Sequence, residues 1–185
     1  KPTHRIAFAQ GRIIVGKDAF QLIKHRKLPK GDCLSLAENA GILAAKNAPS
    51  TIPLCHPLPL DQVVIKTRLD EASHSVWAYC TASANAKTGV EMEAIAGVQG
   101  ALITIYDLTK QVQSVLKISD VRLNEKIGGK NGHWKHPEYV EEQASRTEIP
   151  AVVLPLSGVS VAVVTVSDRA SAGVYEDKSG PALCD

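Results

Sequence analysis

Several features that would point to a function class are scarce or missing in this sequence of 185 residues. No apolar run approaches the roughly 20 residues that a membrane-spanning helix needs, so we expect no membrane partner. The cysteines form no CxxC pair and follow no secretory signal, which argues against a disulfide scaffold and a zinc site and favours reduced thiols in the cytoplasm. They are Cys33, Cys55, Cys80 and Cys184.

The net charge is small, and aromatic side chains are few. The formal net charge is only +2, so we expect no nucleic-acid partner, and an anionic ligand must be held by a local cluster of cations. Aromatic residues make up 4% of the chain, which leaves a core of aliphatic side chains. The hydrophobic content of 44% is ordinary for a globular protein, and the length suits one domain with an appendage.

The stretch 87–110 predicts the central helix of the fold. Thr88, followed three residues later by Glu91 and then by an apolar run, matches a capping box, so we expect the helix to start there. Apolar residues then recur at spacings of three and four around most of the helix. Such a helix must be buried on nearly all sides, against its own sheet or against another subunit.

Charged residues lie only at the two ends of this helix. Glu91 and Glu93 lie in its first turn and Asp107 and Lys110 in its last. At about 1.5 Å per residue, Glu93 and Asp107 are roughly 21 Å apart, too far to serve one small site. One reaction centre using both ends therefore requires two antiparallel helices from two subunits related by a two-fold axis.

The charges at the helix ends are also compatible with arrangements that need no second subunit. Gly97 and Gly100 can bend the helix, or its two ends can serve different sites. The charges can also be an ordinary carboxylate near the helix start and an ordinary i,i+3 ion pair near its end.

The remaining periodicity predicts an α+β fold with helices packed on an antiparallel sheet. The predicted elements are a strand at 12–15, a helix at 18–28, a helix from Asp32, a hairpin of strands at 63–69 and 76–81, the central helix, and a strand at 115–123.

The helix from Asp32 starts with an N-cap residue and is preceded by a candidate anion-binding residue. Asp32 is a favourable N-cap, and Lys30 lies in the turn just before it, where a bound anion also gains from the helix dipole. A solvated surface lysine is the alternative for Lys30. The predicted apolar face of the helix is Leu36, Ala40, Leu43 and Ala44.

Two further segments are candidates for a site. Three prolines stiffen residues 51–61, which hold Cys55 and His56, so His56 is a candidate proton donor or phosphate ligand. The glycine-rich stretch after Leu123 is typical of a mobile loop that closes over an anion, with charge from Lys126 and Lys130. The histidines that follow, at 133 and 136, are expected in solvent rather than on a metal.

Six motifs along the chain together resemble one family, the cyclic pyranopterin monophosphate synthases of molybdenum cofactor biosynthesis, MoaC. They are THRIAFA at 3–9, KGD at 30–32, LCHPL at 54–58, KTGVEMEA at 87–94, TIYD at 104–107 with Lys110, and GGKNG at 128–132. The resemblance implies a ferredoxin-like α+β subunit, with helices on one face of an antiparallel sheet. It also implies a hexamer, a trimer of dimers, with the active site at a dimer interface.

The reaction implied by the resemblance is that of a lyase. It converts (8S)-3′,8-cyclo-7,8-dihydroguanosine 5′-triphosphate to cyclic pyranopterin monophosphate and pyrophosphate. The implied catalytic residues are Asp107, Lys110 and Lys30. The substrate contacts are expected to be Arg5, Leu54, Cys55, His56, Glu91, Met92, Glu93 and Lys130. The sequence requires no cofactor, although Mg²⁺ can accompany the triphosphate. Two alternatives to the enzyme remain open: a non-catalytic nucleotide-binding module and an oligomeric scaffold.

The end of the chain resembles a second family. Residues 159–185 are similar to the opening of molybdopterin adenylyltransferases of the MogA and MoaB type, with SDR and SGP motifs. We therefore predict a synthase domain at 1–140, a linker at 141–158, and the start of a second domain at 159–185, as part of a bifunctional fusion. We also expect further residues upstream of Lys1. The last segment is too short to bury a core, so it should contribute no adenylyl transfer.

Overall fold

The computed structural model describes residues 2–130 and 132–140. The predicted linker at 141–158 and the predicted second domain at 159–185 lie outside the described residues. The elements in chain order are β1 (Thr3–Ile14), α1 (Gly16–Lys24), α2 (Cys33–Lys46), α3 (Ala48–Thr51), β2 (Gln62–Asp70), β3 (Ser75–Ala86), α4 (Glu91–Thr109), β4 (Lys117–Ile127) and β5 (His133–Lys135).

The strands form one antiparallel sheet in the order β2-β3-β1-β4-β5. Without β5 and the short α3, the chain follows the β-α-β-β-α-β order of a ferredoxin-like unit, with α1 and α2 in the first connection and α4 in the second. This arrangement confirms the predicted α+β class. It also places the long helix α4 across the middle of the sheet, against β1 and β3.

Glycines let the helices approach the sheet and each other closely. A Cβ atom on Gly97 of α4 would lie 2.6 Å from the Sγ atom of Cys80 in β3. A Cβ atom on Gly41 of α2 would lie 2.8 Å from the carbonyl oxygen of Gly97 and from Ile65 in β2. Both glycines are therefore needed for contact rather than for bending, and α4 is continuous over its 19 residues.

The opposite face of the sheet carries aromatic and polar side chains. Phe8 stacks on Tyr79 with ring centres 6.0 Å apart, and Trp77 stacks on Tyr79 at 6.3 Å. The predicted alternation in β2, with Ile65 toward the helices and Arg68 away from them, is confirmed by the contact of Ile65 with Gly41 and of Arg68 with Trp77.

Three sequence predictions about these elements were wrong in detail. The first strand was expected at 12–15, but β1 runs over Thr3–Ile14 as the central strand of the sheet, because its buried positions are mostly small residues that give a weak periodic signal. The apolar face of α2 was assigned to the wrong side. Leu36 and Leu43 are 43% and 61% exposed, whereas the buried positions are Cys33, Ala37, Gly41 and Ala45.

The capping box at the start of α4 does not form. The helix begins at Glu91, its N-cap is Val90, and no side chain caps it. The carboxylate of Glu91 instead accepts a hydrogen bond from Lys126 in β4 at 2.8 Å. Glu91, which the local pattern assigned to a helix cap, therefore forms a long-range ion pair instead.

Candidate functional site

A charged cluster lies at the C-terminal end of α4. The Asp107 carboxylate accepts a hydrogen bond from Lys110 Nζ at 2.6 Å and a longer one from Lys30 Nζ at 3.4 Å. Lys30 reaches this point because Asp32 caps α2, accepting bonds from the backbone N–H groups of Leu34 and Ser35. The structure thus brings together the three residues that were expected to be catalytic, and confirms Asp32 as the N-cap.

The pKa values in this cluster move away from neutrality. The bonds from Lys110 and then Lys30 lower the pKa of Asp107, and the bond to Asp107 raises the pKa of Lys110. In one chain the side chains of Asp107 and Lys110 are half-exposed, so each ion stabilises the other and both stay charged.

A basic pocket lies at the other end of α4. Its volume is about 220 Å³. Arg5 of β1 lines it beside the Glu91–Lys126 ion pair, and its guanidinium donates a hydrogen bond to the Lys87 carbonyl at 3.3 Å. The Arg5 Nε atom is buried and has no hydrogen-bond partner among the described residues. The pocket is lined by Arg5, Ile6, Gly89, Glu91, Lys126, Ile127, Gly128, Gly129 and Lys130.

Glu91 remains ionised in this pocket. Burial raises its pKa, but bonds from Lys126 and from its own backbone N–H, together with the charges of Lys126 and Arg5, outweigh burial and leave the pKa below the ordinary value. Three cations, Arg5, Lys126 and Lys130, therefore face one carboxylate, and the pocket has a net positive charge that suits an anion.

Glycines close this pocket at its edge. The glycine turn, defined here as Gly128, Gly129, Lys130 and Gly132, follows β4, and all three of its glycines have positive φ. A Cβ atom on Gly129 would lie 1.9 Å from Arg5 Nη1. The backbone of the glycine turn therefore approaches Arg5 more closely than a residue with a side chain would allow.

Lys126 was predicted to supply charge for an anion, but its place on a strand and its pairing with Glu91 were not predicted. We had placed it in the loop, whereas β4 continues to Ile127 and directs Lys126 toward α4, where it pairs with Glu91. A strict period of two from Leu123 would have placed Lys126 on the face away from the helices. The register shift between β1 and β4, which pairs Leu123 with Ala9 and Lys126 with Ala7, instead puts both side chains on the helix face, and the sequence pattern carries no signal for it.

Cys55 and Glu93 form a third contact near the start of α4. The Cys55 thiol donates to Glu93 Oε1 at 3.4 Å, and Glu93 is only 2% exposed. Burial and then the charge of Glu93 raise the pKa of Cys55. The neighbouring predicted contacts face solvent: Leu54 is 90% exposed, Met92 is 40% exposed, and His56 is exposed.

The predicted site residues thus fall into two groups at opposite ends of α4. Its 19 residues span roughly 27 Å, so one chain does not bring Asp107 near Arg5 or Glu93.

Within the described residues, no group of three or more His, Cys, Asp or Glu side chains is placed to hold a metal ion. None of the described helices is long and apolar enough to cross a bilayer.

Comparison with known proteins assigns the family. The MoaC family model matches residues 1–129. The chain belongs to the MoaC family. All the predicted site residues except Lys130 lie within the matched range, and Lys130 follows it directly.

Curated relatives agree with the MoaC assignment. A molybdenum cofactor biosynthesis bifunctional protein of Synechococcus elongatus is 40% identical over 181 residues, which is 98% of this chain. The chain spans 54% of the length of that relative. A cyclic pyranopterin monophosphate synthase of Heliobacterium modesticaldum is 43% identical over 136 residues, 74% of this chain and 86% of the relative. One from Thermomicrobium roseum is 40% identical, covering 74% and 82%.

The Cys55–Glu93 contact predicts how the thiols of this MoaC chain react. Burial raises the pKa of Cys33 and of Cys80 to about 12, so neither should be alkylated in the folded protein. In a Cys184→Ser background, iodoacetamide should label only Cys55, and Glu93→Gln should make that labelling severalfold faster because it removes the charge that raises the pKa of Cys55. Mass spectrometry of peptides over time measures both.

Glu38→Gln is the matched control, because Glu38 is an exposed carboxylate on α2. It should leave the labelling rate of Cys55 unchanged. Modification of Cys80 before global unfolding, or an unchanged rate in Glu93→Gln, would contradict the assigned contact.

Proposed function

We propose that this MoaC chain is a cyclic pyranopterin monophosphate synthase that acts on (8S)-3′,8-cyclo-7,8-dihydroguanosine 5′-triphosphate and releases pyrophosphate in molybdenum cofactor biosynthesis. The observation that carries the proposal is the pair of charged groups at the two ends of α4, which provides an anion pocket at one end and a carboxylate held between two lysines at the other. The chain covers 82% to 86% of the length of the two relatives described above that carry this name.

The basic pocket suits the phosphates of this substrate. Its 220 Å³ falls below the roughly 300–1,000 Å³ of pockets that enclose a whole small ligand. It is therefore sized for a phosphate portion rather than for the complete nucleotide. Arg5, Lys126 and Lys130 would compensate the negative charge that develops on pyrophosphate as its bond to the α-phosphorus breaks.

The cluster around Asp107 suits proton transfer. Asp107 and the ammonium groups of Lys110 and Lys30 form a paired base and acids at hydrogen-bond distance, the arrangement that general acid–base catalysis requires. Conversion of the cyclised purine ring into a pterin needs several such transfers. We assign these transfers to the Asp107 cluster, with the exposed His56 as a further donor.

Two chains are needed to bring pocket and cluster together. We propose a two-fold dimer in which two α4 helices lie antiparallel, so that the pocket of one chain faces Asp107 of the other, with three such dimers forming a hexamer. The solvent-facing side of α4 supports this proposal, since Ile103 is 61% exposed, Met92 40% and Tyr106 37%. A second copy would also bury the Asp107 cluster and strengthen its electrostatics.

The direct test is turnover of the purified full chain, with and without Mg²⁺. Incubation with the cyclised dihydroguanosine triphosphate should yield equal amounts of pyrophosphate and the cyclic pterin product, measured by a coupled phosphate assay and by mass spectrometry. Substrate binding without turnover would favour the nucleotide-binding module, and no binding would favour the scaffold. Either result would overturn the proposed function.

The bifunctional relative supports a second proposal about domain organisation. Its alignment covers 181 of the 185 residues and so extends well beyond the MoaC match at 1–129. We propose that residues 159–185 correspond to the start of a molybdopterin adenylyltransferase-like domain.

A further inference from the structure

The β4–β5 hairpin carries the glycine turn. Strand β5 has only three residues, all of them exposed, and it lies at the edge of the sheet. Its register pairs Glu125 with Lys135, Lys126 with Trp134 and Ile127 with His133. A three-residue edge strand gains little from its own backbone pairing, so its position depends on side-chain contacts.

One such contact involves a buried carboxylate. The side chain of Glu125 is 5% exposed, and His133 Nε2 lies 2.6 Å from its Oε1 atom, whereas Lys135 Nζ lies 4.0 Å away. A hydrogen bond to a buried carboxylate is stronger than one in solvent, so the short contact with His133 is favourable. The contact joins the first residue of β5 to the end of β4 that leads into the turn.

This contact lies on the opposite side of the sheet from the basic pocket. Glu125 pairs in register with Phe8, whose ring stacks on Tyr79 on the face away from the helices. The next residue, Lys126, points to the helix face and binds Glu91 in the pocket. Glu125 and His133 therefore contact the hairpin on the face away from the helices, and neither side chain lines the pocket.

The glycine turn connects the two sides. Within it, the Gly128 N–H donates to the Gly132 carbonyl at 2.9 Å, and the Gly132 N–H donates to the Gly129 carbonyl at 3.2 Å. Its glycines lose much backbone entropy on ordering, so the turn needs its ends to be held. Gly129 in turn lies against Arg5, so a displaced turn would leave the guanidinium of Arg5 without its neighbour.

We propose that Glu125 and His133 are positioning residues, a clamp that holds the β4–β5 hairpin so that Gly129 and Lys130 stay against Arg5 at the phosphate pocket. The assignment of the pocket to phosphate rests on the proposed function, whereas the clamp itself rests on the hairpin contacts. The clamp acts through the backbone of the turn and adds no group to the reaction.

The test compares His133→Leu, which removes the donor, with His133→Gln, which keeps an N–H donor. In His133→Leu, hydrogen–deuterium exchange of peptides covering residues 125–135 should be at least about fivefold faster, and KM for the triphosphate should rise about tenfold with kcat changed less than about threefold. His133→Gln should restore most of both effects. Glu125→Gln should resemble His133→Leu only in part, because a carboxamide can still accept the bond.

His136→Leu is the matched control, since His136 lies on the same segment but bonds to the Glu138 N–H rather than to Glu125. It should leave exchange, KM and the melting temperature at parental values, whereas His133→Leu should lower the melting temperature by several degrees, because the buried Glu125 loses a donor. Parental exchange and KM in His133→Leu would overturn the clamp. Faster exchange in a protein that has no synthase activity even as the parent would overturn the proposed function and leave the clamp standing.

Discussion

Replacing Asp107 by Asn is expected to lower kcat for pyrophosphate release by at least about 100-fold while leaving the fold intact. The carboxamide has the same shape but cannot take up a proton, and it gives Lys110 and Lys30 no negative partner. The Asp107 side chain is 52% exposed within one chain and the carboxamide keeps its shape, so the variant should still fold and unfold cooperatively, with a melting temperature above the assay temperature. Steady-state kinetics with a coupled pyrophosphate assay measures the effect.

Asp18→Asn is the control for this substitution, since Asp18 is an exposed carboxylate in the first turn of α1 that belongs neither to the basic pocket nor to the Asp107 cluster. It should keep parental kcat and KM. A parental rate in Asp107→Asn would remove Asp107 from the chemistry. Loss of substrate binding with unchanged kcat would assign it to binding instead.

The pH dependence of turnover follows from the same cluster. Because the pKa of Asp107 is lowered and that of Lys110 is raised, both groups are charged throughout the neutral range when the cluster is solvated. The Asp107 carboxylate is lost only as pH falls through its lowered pKa, and the Lys110 ammonium only as pH rises through its raised pKa. Packing of a second chain over the cluster would move both toward neutrality by desolvation.

Patterns with strong local signals predicted the fold well. The alternation in β2 and β3, the short polar connection between them and the cap at Asp32 are set by neighbours in sequence, and the structure contains all of them. The long apolar stretch of α4 was likewise correctly assigned as a helix. In each case one dominant periodicity or one side-chain bond decides the local structure.

Features decided by tertiary contacts could not be predicted from these patterns. Helix α2 buries Gly41 and not Leu43, because close contact with Ile65 and α4 needs a residue without a side chain. Glu91 leaves its predicted cap because Lys126, 35 residues on, offers a stronger bond. Hydrophobicity scales favour Leu over Gly for burial, so helix periodicity alone chose the wrong face.

The candidate site shows the same division. The structure brings Lys30 close to Asp107 and Lys110, as the family motifs suggested, and it also brings Arg5 close to Glu91, a pairing that the motifs did not specify. Helix length alone predicted that these two groups cannot meet within one chain. The place of Lys126, and the clamp behind it, depend on the register shift between β1 and β4 and on how far β4 extends, and neither follows from the local sequence pattern.

Mixing two inactive variants should restore activity if each site is built from two chains. Co-expressed Asp107→Asn and Arg5→Gln chains, the second of which lacks one of the three cations of the pocket, pair at random, so half of the dimers contain one chain of each kind. Every mixed dimer has one site with both defects and one site with an intact pocket and an intact Asp107 cluster. The mixture should therefore recover about one quarter of parental activity, whether the dimers stay separate or assemble further.

The control pairs two defects at the same end of α4. Asp107→Asn mixed with Lys30→Met leaves every composite site with a damaged cluster, so no activity should return above that of the separate variants. Both mixtures contain the same kinds of interface, and only the location of the second substitution differs. Recovery in neither mixture would mean that each chain carries its own complete site, and the roughly 27 Å between the ends of α4 would then have to be bridged by something other than a second copy. Recovery in the first mixture alone can arise only if the pocket of one chain works with Asp107 of another.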